Sequence, residues 1–120
     1  MKECVFCKII NHEIPATPIF EGNGLIVIKD REPKAPVHLL IIPARHIANL
    51  DEVTAEESRI LSDILLKAKD LAKELDISGR YKVVTNVGEM AGQTVMHMHF
   101  HMLGGWNSKE EVTTQLKQQF

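Results

Sequence analysis

The chain has little net charge, no long apolar run and only two cysteines. With 14 Lys+Arg against 16 Asp+Glu, its formal net charge is −2. No global basic field therefore draws it to nucleic acid or to an anionic membrane. No apolar stretch reaches the roughly 18 residues that a membrane-spanning helix requires. Met1-Lys2-Glu3-Cys4 lacks the apolar core of a secretory leader. These absences together give the expectation of a soluble, cytoplasmic protein. In that compartment Cys4 and Cys7 are expected as thiols or metal ligands, not as a structural disulfide. Internal repeats and low-complexity segments are also lacking. What remains is 120 residues, 44% hydrophobic and 25% charged, enough for one globular domain with a core that needs no staples.

Histidine is what the sequence concentrates. Three of six stand at alternate positions in Met96-His97-Met98-His99-Phe100-His101-Met102. Strict alternation of this kind is the signature of a β-strand. Successive strand side chains point to opposite faces, so His97, His99 and His101 are expected on one face. Met96, Met98 and Met102 are then expected in the core behind them. Three imidazoles in a row call for an anion, a metal or proton-transfer chemistry.

The rest of the chain reads as an α+β domain. Residues 4–11 form a short N-terminal helix or turn, and Ile14-Pro15-Ala-Thr-Pro18 is a connector. Ile19-Phe20-Glu21 and residues 25–29 are strands, joined by a Gly22-Asn23-Gly24 turn. Residues 31–36 form a loop, and His38-Leu-Leu-Ile-Ile42 is a strand closed by Pro43. Thr54 and Glu57, at capping-box spacing, open one long helix. Its apolar stripe is Leu61, Ile64, Leu65, Ala68, Leu71, Ala72 and Leu75, and Gly79 is a stop. Residues 81–86 are a fourth strand. A glycine-containing loop, residues 88–92, precedes the histidine strand, which Gly104-Gly105 ends. The expected whole is an antiparallel sheet of about five strands with one main helix on a face. Residues 1–105 make the domain, and residues 106–120 a polar tail.

The chemistry follows from the triplet. Neutral imidazole is a nucleophile and a proton carrier near pH 7. Attack on phosphorus needs a positioned nucleophile, donors around the phosphoryl oxygens and an acid for the leaving group. His99, flanked by two more histidines, is the natural nucleophile. Gly92-Gln93-Thr94 offers backbone N–H groups and polar side chains to an oxyanion. Asp30 and Asn86 border neighbouring strands and can reach the same mouth. One metal held by the triplet alone is disfavoured, because positions i, i+2 and i+4 of a strand span roughly 14 Å. Cys4-x-x-Cys7 has the spacing of a metal-ligand pair. His12 is expected at the surface.

Gly92-Gln93-Thr94-Val95-Met96-His97-Met98-His99-Phe100-His101-Met102-Leu103 resembles the signature of the histidine triad (HIT) family, His-φ-His-φ-His-φ-φ with φ apolar. Phe6-Cys7-Lys8-Ile9-Ile10, Glu13-Ile14-Pro15, Ala35-Pro36-Val37-His38, Ile42-Pro43-Ala44-Arg45-His46 and Gly104-Gly105 resemble segments of its Hint branch, in the same order.

The resemblance implies a nucleotide phosphoramidase or related nucleotidyl hydrolase that works through a covalent nucleotidyl-histidine. It implies His99 as nucleophile, His101 near the phosphate and His38 as a supporting histidine. Asn86, Gln93 and Thr94 would contact the phosphate and leaving group, with Thr94 standing where much of the branch has serine. Asp30 would hold the ribose hydroxyls, and Phe6, Ile9, Ile28 and Leu40 the base. The family's bacterial members imply a structural Zn2+ on Cys4, Cys7, His46 and His97. The family fold implies a homodimer with a continuous sheet of about ten strands. The expected ligand is a purine mononucleotide or nucleotide conjugate, with no nucleic-acid or membrane partner. Alternatives are a dinucleotide polyphosphate hydrolase, a non-catalytic nucleotide-binding module, and a zinc-dependent interaction domain.

Overall fold

The central strand decides the architecture. Val37–Pro43 (β3) is buried at six of its seven positions, and consecutive strand residues face opposite sides. Both faces must therefore be covered. Leu25–Lys29 (β2) pairs with β3 on one side and Phe100–Gly104 (β5) on the other. Phe20–Gly22 (β1) and Tyr81–Val84 (β4) lie at the edges, giving the order β1-β2-β3-β5-β4 with every pair antiparallel. The structure is a computed structural model and describes residues 4–112. It is the expected α+β architecture, a five-stranded antiparallel sheet.

Each face carries one helix. Ser58–Glu74 (α2) buries Ile64, Ala68, Leu71 and Ala72 against Leu25, Val27, Leu39, Ile41, Phe100 and Met102. Val5–Ile10 (α1) buries Phe6 on the opposite face against Ile26, Leu40 and Ile42. Odd positions of β3 thus face α2, and even positions, including His38, face α1. His101 stands directly across from Leu40, so it too lies on the α1 face. Ile41 and Ile64 are wholly buried, and truncating either to alanine costs about 2–5 kcal/mol.

Local chemistry sets the element ends. Asn23 and Gly24 both have positive φ (53° and 75°), as the tight turn between β1 and β2 requires. The Glu57 carboxylate accepts from the Thr54 N–H at 3.0 Å and from its hydroxyl at 3.1 Å. One 3₁₀ turn, Ala55–Glu57, comes between this cap and α2. At the far end the expected stop at Gly79 comes too late. Asp76 takes the left-handed conformation, φ 58°. The Asp76 and Ile77 N–H groups close back onto the Lys73 and Ala72 carbonyls at 3.2 and 2.8 Å, a Schellman cap. The α1 helix ends likewise at His12, φ 62°, which is at the surface and 3.5 Å from Glu21.

Three expectations are corrected. The histidine segment is a strand only from Phe100, not from Met96. Ahead of it the Pro43 carbonyl bonds the His97 side chain at 2.8 Å, and the Met98 N–H turns to the Ile47 carbonyl at 2.6 Å. Pairing with β3 stops where those groups are spent. Met98 and Met102 are core, but Met96 is 41% exposed. On α2, Leu65 and Leu75 are exposed, outside the buried stripe.

Trp106 is buried against Ala35 and Leu103, and the Arg80 guanidinium donates to its carbonyl at 3.0 Å. The Ser108 hydroxyl then accepts from the Glu111 N–H at 3.3 Å, at the start of a helical turn. The remainder of the tail lies outside the described residues. Among the described residues no helix is long and apolar enough to cross a membrane.

Candidate active site and metal cluster

Two clusters of titratable groups share the α1 face. The first joins four residues from three parts of the chain. Cys4 is the N-cap of α1, and its sulfur accepts from the Cys7 N–H at 3.4 Å. Cys7 follows one turn later. His46 lies just beyond β3, and His97 ahead of β5. His97 Nδ1 is 3.4 Å from Cys4 Sγ and 3.5 Å from Cys7 Sγ, and His46 Nδ1 is 3.2 Å from Cys7 Sγ. The four ligand atoms all lie within 4.8 Å of one another.

These residues fit a tetrahedral cation. Metal–sulfur and metal–nitrogen bonds of about 2.3 and 2.1 Å place sulfur and nitrogen about 3.6 Å apart, close to the distances found. The His97 tautomer fits as well. Its Nε2 faces the Pro43 carbonyl at 2.8 Å. A carbonyl only accepts, so Nε2 carries the proton and Nδ1 presents its lone pair to the cluster. Burial and the neighbouring Cys4 sulfur push the Cys7 thiol up to about 11. Two thiolates side by side would need a cation between them.

The second cluster is a row of imidazoles. His99 is buried, with Nδ1 donating to the His97 carbonyl at 2.7 Å. Its Nε2 is left with a lone pair, as a nucleophile needs. Burial lowers the pKa of His99, opposed by that hydrogen bond and by Asp30, so the ring is neutral at pH 7. The His101 ring lies 5.1 Å from that of His99. Its Nδ1 is 3.0 Å from His38 Nε2. Asp30 Oδ2 is 3.3 Å from His38 Nε2 and 3.9 Å from His101 Nδ1. Burial, then the His99 and His38 rings, push His101 down to about 4. Burial also lowers His38, with Asp30 opposing.

Phe6 links the two clusters. Its ring meets His97 edge-on at 5.9 Å and His99 at 5.0 Å. Phe6 and Leu40, with Ile9 and Ile28 packed against them, form one apolar cluster with Ile26, Ile42 and Val95. The four residues expected around a base are thus together, beside His99.

The polar loop is arranged differently from expectation. The Gln93 side chain is buried and spent on the backbone. It donates to the Ala48 and Val95 carbonyls at 2.7 and 3.0 Å and accepts from the Gly88 N–H at 2.8 Å. It braces the loop. Asn86 holds the same loop through the Ala91 carbonyl at 2.8 Å, and Thr94 is exposed next to it. The Thr85 hydroxyl holds the His99 carbonyl at 2.9 Å. The groups that sequence reading missed are mainly backbone ones: the Pro43 and His97 carbonyls and the Lys34 N–H. A groove of about 490 Å³ beside α2, lined by Asn23, Leu25, Arg59, Asp63, Lys67 and Asp70 among others, contains none of the histidines.

The comparisons with known proteins give the family. The family described as "Scavenger mRNA decapping enzyme C-term binding" matches residues 3–116. A HIT-like protein of Synechocystis sp. is 42% identical over 104 residues, 87% of this chain and 91% of that protein. A HIT family hydrolase from Clostridium thermocellum is 48% identical, with a TM-score of 0.84 over 89% of this chain and 94% of that one. A zinc-bound histidine triad family protein from Mycobacterium smegmatis is 30% identical, with a TM-score of 0.77 over 91% of this chain and 79% of that one. By sequence and by fold, the chain belongs to the histidine triad (HIT) superfamily.

Proposed function

We propose that the protein is a nucleotide-binding hydrolase that cleaves nucleoside 5′-phosphoramidates or related nucleotide conjugates. The observation that carries this reading is the fixed tautomer of His99, with Nδ1–H tied to the His97 carbonyl at 2.7 Å and Nε2 unprotonated.

In the first step the Nε2 lone pair forms a bond to the α-phosphorus. The phosphorus–nitrogen bond of the substrate breaks, and the amine leaves as it takes up a proton. In the second step water attacks the phosphorus, the His99–phosphorus bond breaks and returns the lone pair to Nε2, the water's proton passes to solvent in place of the one the amine took from it, and the nucleoside monophosphate departs. His101 donates to a phosphoryl oxygen, and Asn86 and Thr94 border the phosphate. Asp30 is placed to receive ribose hydroxyls. The apolar slot of Phe6, Ile9, Ile28 and Leu40 takes the base.

Cys4, Cys7, His46 and His97 would hold Zn2+, which when bound supplies a closed structural clip with no position for water. The chain's own part is to anchor α1, and with it Phe6, against the sheet. Two free cysteines suit a reducing compartment such as the cytoplasm. A homodimer with a continuous sheet would use an edge strand, and β4 is the longer of the two edges.

The experiment is a His99→Ala variant assayed on an adenosine phosphoramidate and on a dinucleotide polyphosphate. The reading expects turnover of the phosphoramidate by the parent protein and a loss of at least about 10³-fold in the folded variant. Turnover confined to the dinucleotide would move the protein to the other hydrolase class. Tight nucleotide binding without turnover would make it a binding module.

A further inference from the structure

The loop joining β2 to β3, residues 30–36, is held unusually firmly. The Asp30 N–H donates to the His38 carbonyl at 3.0 Å. Asp30 Oδ1 accepts from the Glu32 N–H at 2.8 Å. Ala35 is buried with Leu103 and Trp106. Pro33 and Pro36 fix the backbone on either side. The stretch held in this way is that of Lys34, whose backbone N–H points at His38 Nδ1 at 3.1 Å.

That contact has a chemical consequence. A backbone N–H can only donate, so His38 Nδ1 is an unprotonated acceptor. The one proton of the neutral ring is then on Nε2. His38 Nε2 faces His101 Nδ1 at 3.0 Å, and two N–H groups cannot face each other at that distance. His101 Nδ1 is therefore the acceptor, and the proton of His101 sits on Nε2. The opposite tautomer would turn a lone pair of His101 towards a phosphoryl oxygen. Asp30, His38 and His101 are close enough to hold a cation, but His38 offers them an N–H there and no lone pair.

We infer that Lys34 is a positioning residue, whose backbone N–H acts through His38 to fix His101 as an Nε2–H donor for an anionic phosphoryl oxygen beside His99. The purpose of this donor rests on the phosphoryl-transfer reading above, but the chain of hydrogen bonds does not. Asp30 takes a share of the His38 proton at 3.3 Å, which keeps His38 from turning over in its slot.

The test is ¹⁵N NMR of the zinc-loaded protein at neutral pH, with His38 and His101 assigned by substitution. Both rings are expected in the Nε2–H form. Lys34→Pro removes the donor, and it should mix the His101 tautomers and lower kcat by about tenfold or more with little change in KM. His38→Gln places an amide N–H where His38 Nε2 stands, and it should recover most of the activity that His38→Ala loses. Should Lys34→Pro fail to fold, the parent spectrum and the His38→Gln variant decide the matter. An Nδ1–H form of His101 in the parent protein would overturn the inference. So would a folded His38→Gln protein as inactive as His38→Ala. A parent protein with the expected spectrum and no phosphoramidate turnover would instead overturn the reading of the reaction.

Discussion

His99 Nδ1 stands 2.7 Å from the carbonyl oxygen of His97, two residues earlier in the chain. The same His97 turns its own Nδ1 to the Cys4 and Cys7 sulfurs. One residue thus ties the Cys4, Cys7 and His46 cluster to His99, through its ring on one side and its backbone on the other. With Phe6 packed on both rings, loss of the cluster is expected to loosen His99 as well as α1.

The first prediction concerns that link. Protein purified without added metal should carry about one zinc per chain. Cys4→Ser removes a direct ligand, so it should lower the zinc content and reduce the melting temperature. It should also weaken nucleotide binding through the displaced Phe6. Elemental analysis with calorimetry checks this. Unchanged metal content in Cys4→Ser would show the ligand set to be wrong.

Stability should fall in acid at a defined point. Burial holds the pKa values of His38, His99 and His101 below the ordinary 6.5, and His101 lies at about 4. The unfolded chain takes up protons near 6.5 that the folded protein refuses. Stability is therefore full above that pH and declines as pH drops from 6.5 towards 4. His101 alone contributes about 2 kcal/mol of loss between pH 7 and pH 5. Denaturant titrations across this range read it, and His101→Asn should lose that share of the dependence. Equal slopes in the two proteins would contradict the assignment.

The cap of α2 gives a stabilising change. Asp76 occupies the left-handed position with φ 58°, where glycine carries no steric penalty. Asp76→Gly should raise stability by about 0.5–1 kcal/mol, and a fall in the denaturation midpoint would contradict the cap.

Gly104 gives the opposite case. A Cβ there would lie 2.5 Å from the Arg80 carbonyl oxygen and 2.7 Å from Tyr81 Cβ. Both neighbours belong to the β4 side of the sheet, and β4 meets β5 at this pair. Gly104→Ala should cost about 1–3 kcal/mol by pushing the edge strand away, as a lowered denaturation midpoint would show.

Side-chain pattern carries much of this structure, and backbone chemistry carries what pattern misses. The Thr54 and Glu57 spacing, the Asn23-Gly24 turn and the apolar run of β3 are all visible in the residues. The alternation over residues 96–102 is visible too, yet the strand begins only at Phe100, since the Pro43 carbonyl and the Met98 N–H are engaged elsewhere. Every residue has these groups, so no spacing announces which of them a side chain will claim. The Lys34 N–H at His38 and the His97 carbonyl at His99 are hidden for the same reason. Gln93 is polar, and polarity suggested a ligand contact, whereas its three partners are loop backbone groups. Cys4, Cys7, His46 and His97 are far apart in the chain, and only the resemblance to a family joined them before the fold did. Residues 106–120 are expected only as a polar tail, yet Ser108 accepts from the Glu111 N–H at the start of a helical turn.

The most direct test is to trap the reaction intermediate. Protein mixed with an adenosine phosphoramidate, quenched within a turnover in alkali and digested, should yield one peptide carrying adenylate on His99, with the phosphorus on Nε2. The adduct should be absent from folded His99→Ala. Turnover of wild-type magnitude in that variant, or an adduct on any other residue, would contradict the account.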